Sequence, residues 1–104
     1  MEGNSENAGR LSLMDVLTPR QFGVAMLVAW GLKNAEIAAR LRTTEYVVKN
    51  YVKDIYDRAG CWNRVELALR FVYENHSGMY DANRMKAVIS EVETDEKPPR
   101  AAQG

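Results

Sequence analysis

The chain has 104 residues with 14 basic and 14 acidic side chains, one histidine and one cysteine, which is the size of one small domain. No apolar run approaches the roughly 18 residues of a membrane span, and the polar residues 1–7 lack the features of a signal peptide. Because Cys61 has no second cysteine with which to form an internal disulfide, the composition fits a reducing cytoplasm.

Charge is distributed unevenly along the chain, although the net charge is zero. Residues 17–73 carry nine basic and five acidic side chains, a net charge of +4. Residues 1–16 and residues 74–104 each have a net charge of −2. Because phosphate groups meet the local charge and not the total, the basic central segment is compatible with nucleic-acid binding.

The N-terminal part of the chain precedes the first periodic segment. Residues 1–16 are mostly polar before Leu11, and we expect a flexible arm whose last apolar residues dock on the core. A first core helix is predicted over residues 18–30, where apolar side chains recur every three or four positions. The residues that favour its start and its end are Thr18 as N-cap, Pro19, Gln21 as partner in a capping box, and Gly31.

A short second helix and a longer third helix follow. The second is predicted from Asn34, as its N-cap, to Leu41, and the third is capped by Thr44 and covers about residues 45–58. A tight connection between two short helices is the geometry of a helix-turn-helix. The inward positions of the third helix are Val48, Val52, Ile55 and Ala59.

The opposite face of the third helix is polar and is predicted to point outward. Its residues are Glu45, Tyr46, Lys49, Asn50 and Lys53. Lysine can donate to guanine acceptors in the major groove, and asparagine can bond adenine through both of its amide atoms. A charged face is equally typical of any solvated helix, so the periodicity alone leaves both interpretations open.

A fourth helix is predicted from a capping box formed by Asn63 and Glu66 to about Asn75. It is apolar nearly all round, which indicates a second packing surface in addition to the core. Residues 76–104 form a C-terminal extension, in which residues 80–92 could make one further helix before a disordered tail. Trp30, at the end of the first helix, and Trp62, in the loop before the fourth, are expected to pack within the protein; the alternative for either is a protein-binding patch.

Four segments together resemble the LuxR-type (LuxR/NarL/GerE/FixJ) DNA-binding domain, without a gap from residue 17 to about residue 73. They are LTPR at 17–20, VAWGLKNAEIAARL at 28–41, VKNYV at 48–52 and GCWNRVELA at 60–68. The resemblance implies an all-α, four-helix (tetra-helical) helix-turn-helix over residues 17–75, whose third helix enters the major groove and whose fourth mediates dimerisation. Since residues 1–16 are too few for a sensing domain, the chain is similar to single-domain members.

The resemblance also implies which residues bind DNA and which bind a second subunit. Lys49, Asn50 and Lys53 fall on the principal DNA-contacting positions, and Arg64 falls on an arginine that serves either phosphate or structure. The expected base-reading residues are Lys49, Asn50, Lys53 and Tyr46. The expected phosphate contacts are Arg42, Thr44, Tyr51 and Arg64. The expected dimer contacts are Val65, Leu69, Val72 and Tyr73.

Departures from the family pattern weaken the predicted attraction for phosphate. Val47 replaces the usual threonine and Tyr51 the usual histidine, while Asp54 and Asp57 add negative charge to the third helix. These differences leave open an alternative function: a protein-interaction module or anti-activator that pairs with a full-length regulator through the fourth helix without strong DNA binding.

The sequence therefore predicts a bacterial transcription regulator, cytoplasmic and located on the nucleoid when bound, that binds specific double-stranded DNA as a homodimer. RNA polymerase or another regulator is a candidate further partner, and no membrane contact is expected. No acid pair, activated nucleophile or spacing of metal ligands is found, so we predict no catalytic residue, cofactor or metal, and no enzyme activity.

Overall fold

The computed structural model describes residues 11–93, and this part of the chain consists of α-helices without a strand. The helices are α1 (Leu13–Val16), α2 (Pro19–Ala29), α3 (Asn34–Leu41), α4 (Glu45–Ala59), α5 (Arg64–His76) and α6 (Ala82–Glu93). The predicted all-α fold is confirmed, and the four predicted core helices correspond to α2 to α5. The first ten residues of the predicted arm and the predicted disordered tail lie outside the described residues. Within the described range, no helix is both long and apolar enough to cross a membrane.

Helix α2 lies at the centre of the fold, packed against α4, α5 and α6. It begins as predicted, since Thr18 Oγ1 accepts from the Gln21 N–H at 3.1 Å and Gln21 Oε1 accepts from the Thr18 N–H at 3.0 Å. Every residue from 21 to 28 is buried, as expected for a helix surrounded by others. The rings of Phe22, near the start of α2, and Phe71, in the middle of α5, lie 5.3 Å apart and join the two helices in the core.

The N-cap of α3 lies one residue earlier than predicted. The N-cap is Lys33, and its backbone N–H donates to Glu36 Oε1 at 2.7 Å. Asn34 is the first helical residue, and its Oδ1 accepts instead from Arg64 Nη1 at 2.9 Å. The prediction of Asn34 as N-cap is therefore wrong, because a long-range partner takes up the amide oxygen while Glu36 supplies the local cap.

The ends of α4 and the start of α5 follow local sequence rules. Thr44 Oγ1 accepts from the Val47 N–H at 3.2 Å, and Gly60 ends α4 in a left-handed conformation with φ 73°. Asn63 Oδ1 accepts from the Glu66 N–H at 2.9 Å, as predicted. The Glu66 carboxylate, however, accepts from the Trp62 N–H and not from Asn63, so the predicted capping box is only half formed.

The described part of the chain before α2 forms a short helix, α1, at the end of the predicted arm. Ser12 and Asp15 form a capping box at the start of α1, and Leu13 is fully buried. The Leu13 N–H donates to Glu74 Oε1 at 2.8 Å. The expected docking of the last apolar residues of the arm is thus confirmed for Leu13 and Met14, and apolar burial and a long-range hydrogen bond together hold this helical turn on the core.

Glu74 of α5 forms hydrogen bonds with both the segment before α2 and the segment after α5. Its Oε1 accepts from the Leu13 N–H and from the Tyr80 hydroxyl, both at 2.8 Å, and its Oε2 accepts from Arg70 Nε at 2.9 Å. Burial lowers the pKa of Arg70, but the hydrogen bond and the charge of Glu74 outweigh this effect and raise it overall. A carboxylate that is only 5% exposed is stable here because three donors compensate its lost hydration.

The segment after α5 adds a ring to the core. The Tyr80 ring lies 4.9 Å from that of Phe22 and 5.2 Å from that of Phe71, measured between centroids. Burial, together with the hydrogen bond to Glu74, raises the pKa of the Tyr80 hydroxyl. The third aromatic ring of this core thus comes from the C-terminal extension.

Helix α6 packs on α2 where the sequence predicted a helix over about residues 80–92. Val88 and Val92 of α6 are buried, and both face Gly23 of α2. A Cβ atom at Gly23 would lie 2.9 Å from Val92 Cγ1, closer than normal packing allows. The glycine therefore permits the close approach of α6.

Candidate nucleic-acid interface

The connection between α3 and α4 is a tight turn of three residues. Arg42 ends α3 in the left-handed region with φ 58°, and the Thr43 N–H donates back to the Ala38 carbonyl at 2.9 Å. Ile37 of α3 and Val48 of α4 are both fully buried in the common core. The turn and this apolar contact together fix how α4 is presented to solvent, which is the geometry of a helix-turn-helix.

The outer face of α4 carries the predicted base-reading residues. Tyr46 is 72% exposed, and Lys49, Asn50 and Lys53 are exposed on the same side of the helix. Within the described part of the chain, none of these four side chains makes a hydrogen bond or an ion pair. The inward residues Val48, Val52 and Ile55 are buried, as the periodicity predicted. The polar face therefore remains available for a ligand.

The predicted phosphate contacts lie around the start of α4. Thr44 accepts the capping hydrogen bond through its oxygen and keeps its hydroxyl hydrogen for another acceptor. Tyr51 is half-buried and packs against the core, and Arg42 is exposed at the turn. These placements are compatible with the predicted contacts to the phosphate backbone of DNA beside the outer face of α4.

Arg64 has partners within the protein. Its Nη1 donates to Asn34 Oδ1 at 2.9 Å, and its Nη2 donates to the Leu32 carbonyl at 2.7 Å. The guanidinium therefore holds the loop between α2 and α3 against the start of α5. Of the two roles predicted for this arginine, the geometry supports the structural one.

Asp54 has a role that the sequence did not reveal. Its Oδ2 accepts from Gln21 Nε2 at 2.6 Å and lies 3.7 Å from Arg58 Nε. It therefore faces the start of α2 at the edge of the polar face, where it is paired. Asp57 is exposed, has no partner among the described residues, and follows Lys53 by one helical turn. The expected repulsion of phosphate thus concerns Asp57 more than Asp54.

Helix α5 presents an apolar strip to solvent. The predicted dimer contacts on it are all more than half exposed: Val65, Leu69, Val72 and Tyr73. Trp62, just before the helix, is 84% exposed, and Trp30 is also exposed. The expectation that the two tryptophans pack within the protein is therefore wrong, because neither side chain is buried among the helices.

Cys61, by contrast, is a buried free thiol in the loop between α4 and α5. Burial raises the pKa of Cys61, against the opposing effect of the nearby Arg70. In the described part of the chain, no three His, Cys, Asp or Glu side chains are grouped so that they could hold a metal ion.

The turn, the buried inner face and the exposed polar outer face of α4 define a helix-turn-helix protein. The family model for bacterial regulatory proteins of the luxR family (GerE) matches residues 15–71, more than half of the chain. The chain therefore belongs to the luxR family of bacterial regulatory proteins. The segment after residue 71, with Tyr80 and α6, extends beyond the matched region.

Relatives with curated functions are similar over stretches of about the same length. The two-component response regulator PprB of Pseudomonas aeruginosa is 46% identical over 57 residues, which cover 55% of this chain and 21% of the relative. The response regulator RamR of Streptomyces coelicolor is 43% identical over 56 residues, covering 54% and 27%. The response regulator Rre1 of Synechocystis sp. is 41% identical over 58 residues, covering 56% and 25%. The chain thus matches about a quarter of the length of these relatives, and no solved structure matches it significantly.

Proposed function

We propose that this chain is a transcription regulator that binds specific double-stranded DNA by placing α4 in the major groove. The observation that carries the proposal is the outer face of α4, where Tyr46, Lys49, Asn50 and Lys53 are exposed without partners in the described chain. Membership of the luxR family and the response regulators among the relatives support a regulatory role. We place this activity in the bacterial cytoplasm, on the nucleoid.

Each side chain on this face suits a different part of the groove. Lys49 and Lys53, one helical turn apart, suit the acceptor atoms of guanine, and Asn50 suits the paired donor and acceptor of adenine. Tyr46, in the first turn of α4, reaches the neighbouring base edges. The N-terminal half of a recognition helix is the part that ordinarily enters the groove; Tyr46, Lys49 and Asn50 lie in it, and Lys53 lies just after its midpoint.

Phosphate contacts at the start of α4 would fix its depth in the groove. The free hydroxyl hydrogen of Thr44 and the hydroxyl of Tyr51 are suitable donors, and Arg42 adds a positive charge at the turn. We leave Arg64 out of this set, since its guanidinium holds Asn34 and the Leu32 carbonyl.

A second copy of the chain is the proposed partner of α5. The apolar strip on α5 is exposed on a helix whose opposite face is already buried in the core. A dimer would cover this strip and would set the spacing of two half-sites on DNA. Leu69→Glu should shift the protein toward monomer in sedimentation velocity, whereas the control Ser90→Glu, on the exposed side of α6, should not.

The test of DNA binding begins with selection of bound duplexes from a random pool, followed by fluorescence anisotropy on the selected site. Lys49→Ala and Lys53→Ala should each weaken binding roughly tenfold or more, and affinity should fall steeply with salt. Lys86→Ala, on the exposed side of α6, is the control and should change little. Negligible binding of the native protein at low salt would contradict the proposal and favour a protein-interaction module instead.

A further inference from the structure

A pair of polar side chains links the start of α2 to the recognition helix. The Gln21 amide uses both ends: its Oε1 accepts from the Thr18 N–H at 3.0 Å, and its Nε2 donates to Asp54 Oδ2 at 2.6 Å. Gln21 is only 7% exposed. Because the carbonyl end must serve the helix cap, the nitrogen end is directed at α4, and the orientation of the amide is fixed by its contacts.

A second contact ties the same part of α4 to the chain before α2. Arg58, one turn after Asp54, lies 3.7 Å from the Asp54 carboxylate through its Nε. Its Nη1 donates to the Val16 carbonyl at 3.1 Å. Asp54 is thus held from two directions, and one side of α4 is attached to both α1 and α2 by directional bonds.

These bonds constrain a movement that the apolar contacts leave less restricted. Val48, Val52 and Ile55 bury their side chains against the core, but apolar contact is non-directional and tolerates a small rotation of the helix about its axis. A rotation of about 15° moves an atom at the outer radius of a helix by about 1.5 Å. A binding site needs its groups held to within roughly 0.5 Å, so a rotation of this size would misplace Asn50 and Lys53.

We propose that Gln21 and Asp54 are positioning residues that set the rotation of α4 relative to α2 and thereby the sequence specificity of DNA binding. The inference rests on the proposed function, although neither residue is proposed to touch a base. The expected change in DNA affinity on replacing Asp54 is opposite to the change that simple electrostatics predicts. Removing the charge of Asp54 would relieve repulsion of phosphate, yet it should weaken binding to the specific site.

Four variants separate positioning from charge. Asp54→Ala removes the link, and Asp57→Ala removes the same charge from the same helix at a residue without a partner in the described chain. Gln21→Glu places two carboxylates against each other. The double variant Gln21→Glu/Asp54→Asn restores the link with reversed polarity, since a carboxylate at position 21 accepts from both the Thr18 N–H and an amide at position 54.

The readout is the ratio of affinities for the selected duplex and for an unrelated duplex, at a temperature where every variant is fully folded. Asp54→Ala and Gln21→Glu should each lower this ratio about tenfold, mainly by weakening the specific complex. Asp57→Ala should leave the ratio within about twofold of the native value, and the double variant should return to within about threefold. Equal effects of Asp54→Ala and Asp57→Ala, or no recovery in the double variant, would overturn the proposal.

A measurement without DNA separates this inference from the proposed function. Residual dipolar couplings of the free protein report the orientation of α4 relative to α2. They should differ from the native values in Asp54→Ala, and they should return to them in the double variant. Unchanged couplings in Asp54→Ala would refute the positioning role whether or not the protein binds DNA. Failure of the native protein to bind any duplex would refute the proposed function instead.

Discussion

Replacing Glu74 with glutamine is expected to destabilise the fold although the two side chains have the same shape. The amide oxygen can still accept from the Leu13 N–H and the Tyr80 hydroxyl, both of which contact Oε1 in the native protein. The amide nitrogen must then replace Oε2, where it faces the Nε–H of Arg70. Two donors would meet there, and Arg70 would lose its charged partner.

The size of the effect follows from the burial of the pair. A hydrogen bond to a charged group contributes about 1.5–3 kcal/mol, and breaking a fully buried ion pair costs about 3–5 kcal/mol. The side chain of Arg70 is 28% exposed and also donates to the carbonyls of Ala59 and Leu11, so part of its hydration and bonding remains. We therefore expect Glu74→Gln to lower the free energy of unfolding by about 2–3 kcal/mol.

The assay is urea unfolding followed by circular dichroism at neutral pH. In a domain of this size, the same loss should lower Tm by about 10 °C or more. Glu91→Gln is the matched control, since Glu91 is exposed and lies 4.0 Å from Arg20, where an ion pair contributes at most about 1 kcal/mol. A loss for Glu74→Gln no larger than that of the control would refute the assigned role of this carboxylate.

Further predictions concern Tyr80, Cys61 and Gly23, which line or anchor the core. Tyr80→Phe should cost about 1 kcal/mol by removing one donor to Glu74, and no loss in urea unfolding would contradict the bond. Because burial raises the pKa of Cys61, iodoacetamide should alkylate the native thiol more slowly than the urea-unfolded thiol at pH 8, and equal rates would count against this. The stability linked to the neutral thiol should be fully present below the pKa of the unfolded chain and decline as pH rises through the higher native pKa. Gly23→Ala should speed amide hydrogen exchange at the end of α6, because the added methyl group displaces Val92. Unchanged protection of these amides would contradict the tight contact.

Local signals predicted the helices well, because helix caps act within a few residues. Thr18 and Gln21 form the predicted capping box, Thr44 caps α4, and Gly60 ends it. One failure has a clear cause, which is competition from a distant partner. Asn34 does not cap α3 because Arg64, 30 residues away, takes its amide oxygen.

The exposed residues of the candidate interface were predictable from the sequence, but the hydrogen bonds that hold α4 in place were not. The period of the third helix placed Lys49, Asn50 and Lys53 outward, and the structure has them there. The same reasoning treated Asp54 as an unpaired charge, since no local pattern connects it to Gln21, 33 residues earlier. A carboxylate at the edge of a polar face can point either to solvent or to a neighbouring helix, and only the packing of α2 decides between them.

The sequence by itself determined the starts of α2 and α4, the buried stripe of α4 and the family, since these depend on short-range periodicity, capping and ungapped similarity. The tertiary structure alone decided which polar groups meet. It buried Glu74 among Leu13, Arg70 and Tyr80, and it packed α6 on α2 at Gly23. Such contacts join residues that lie far apart along the chain, and the helices bring them together only when they pack. The orientation of α4 is therefore a property of the assembled fold, although the residues proposed to read DNA can be predicted from the sequence.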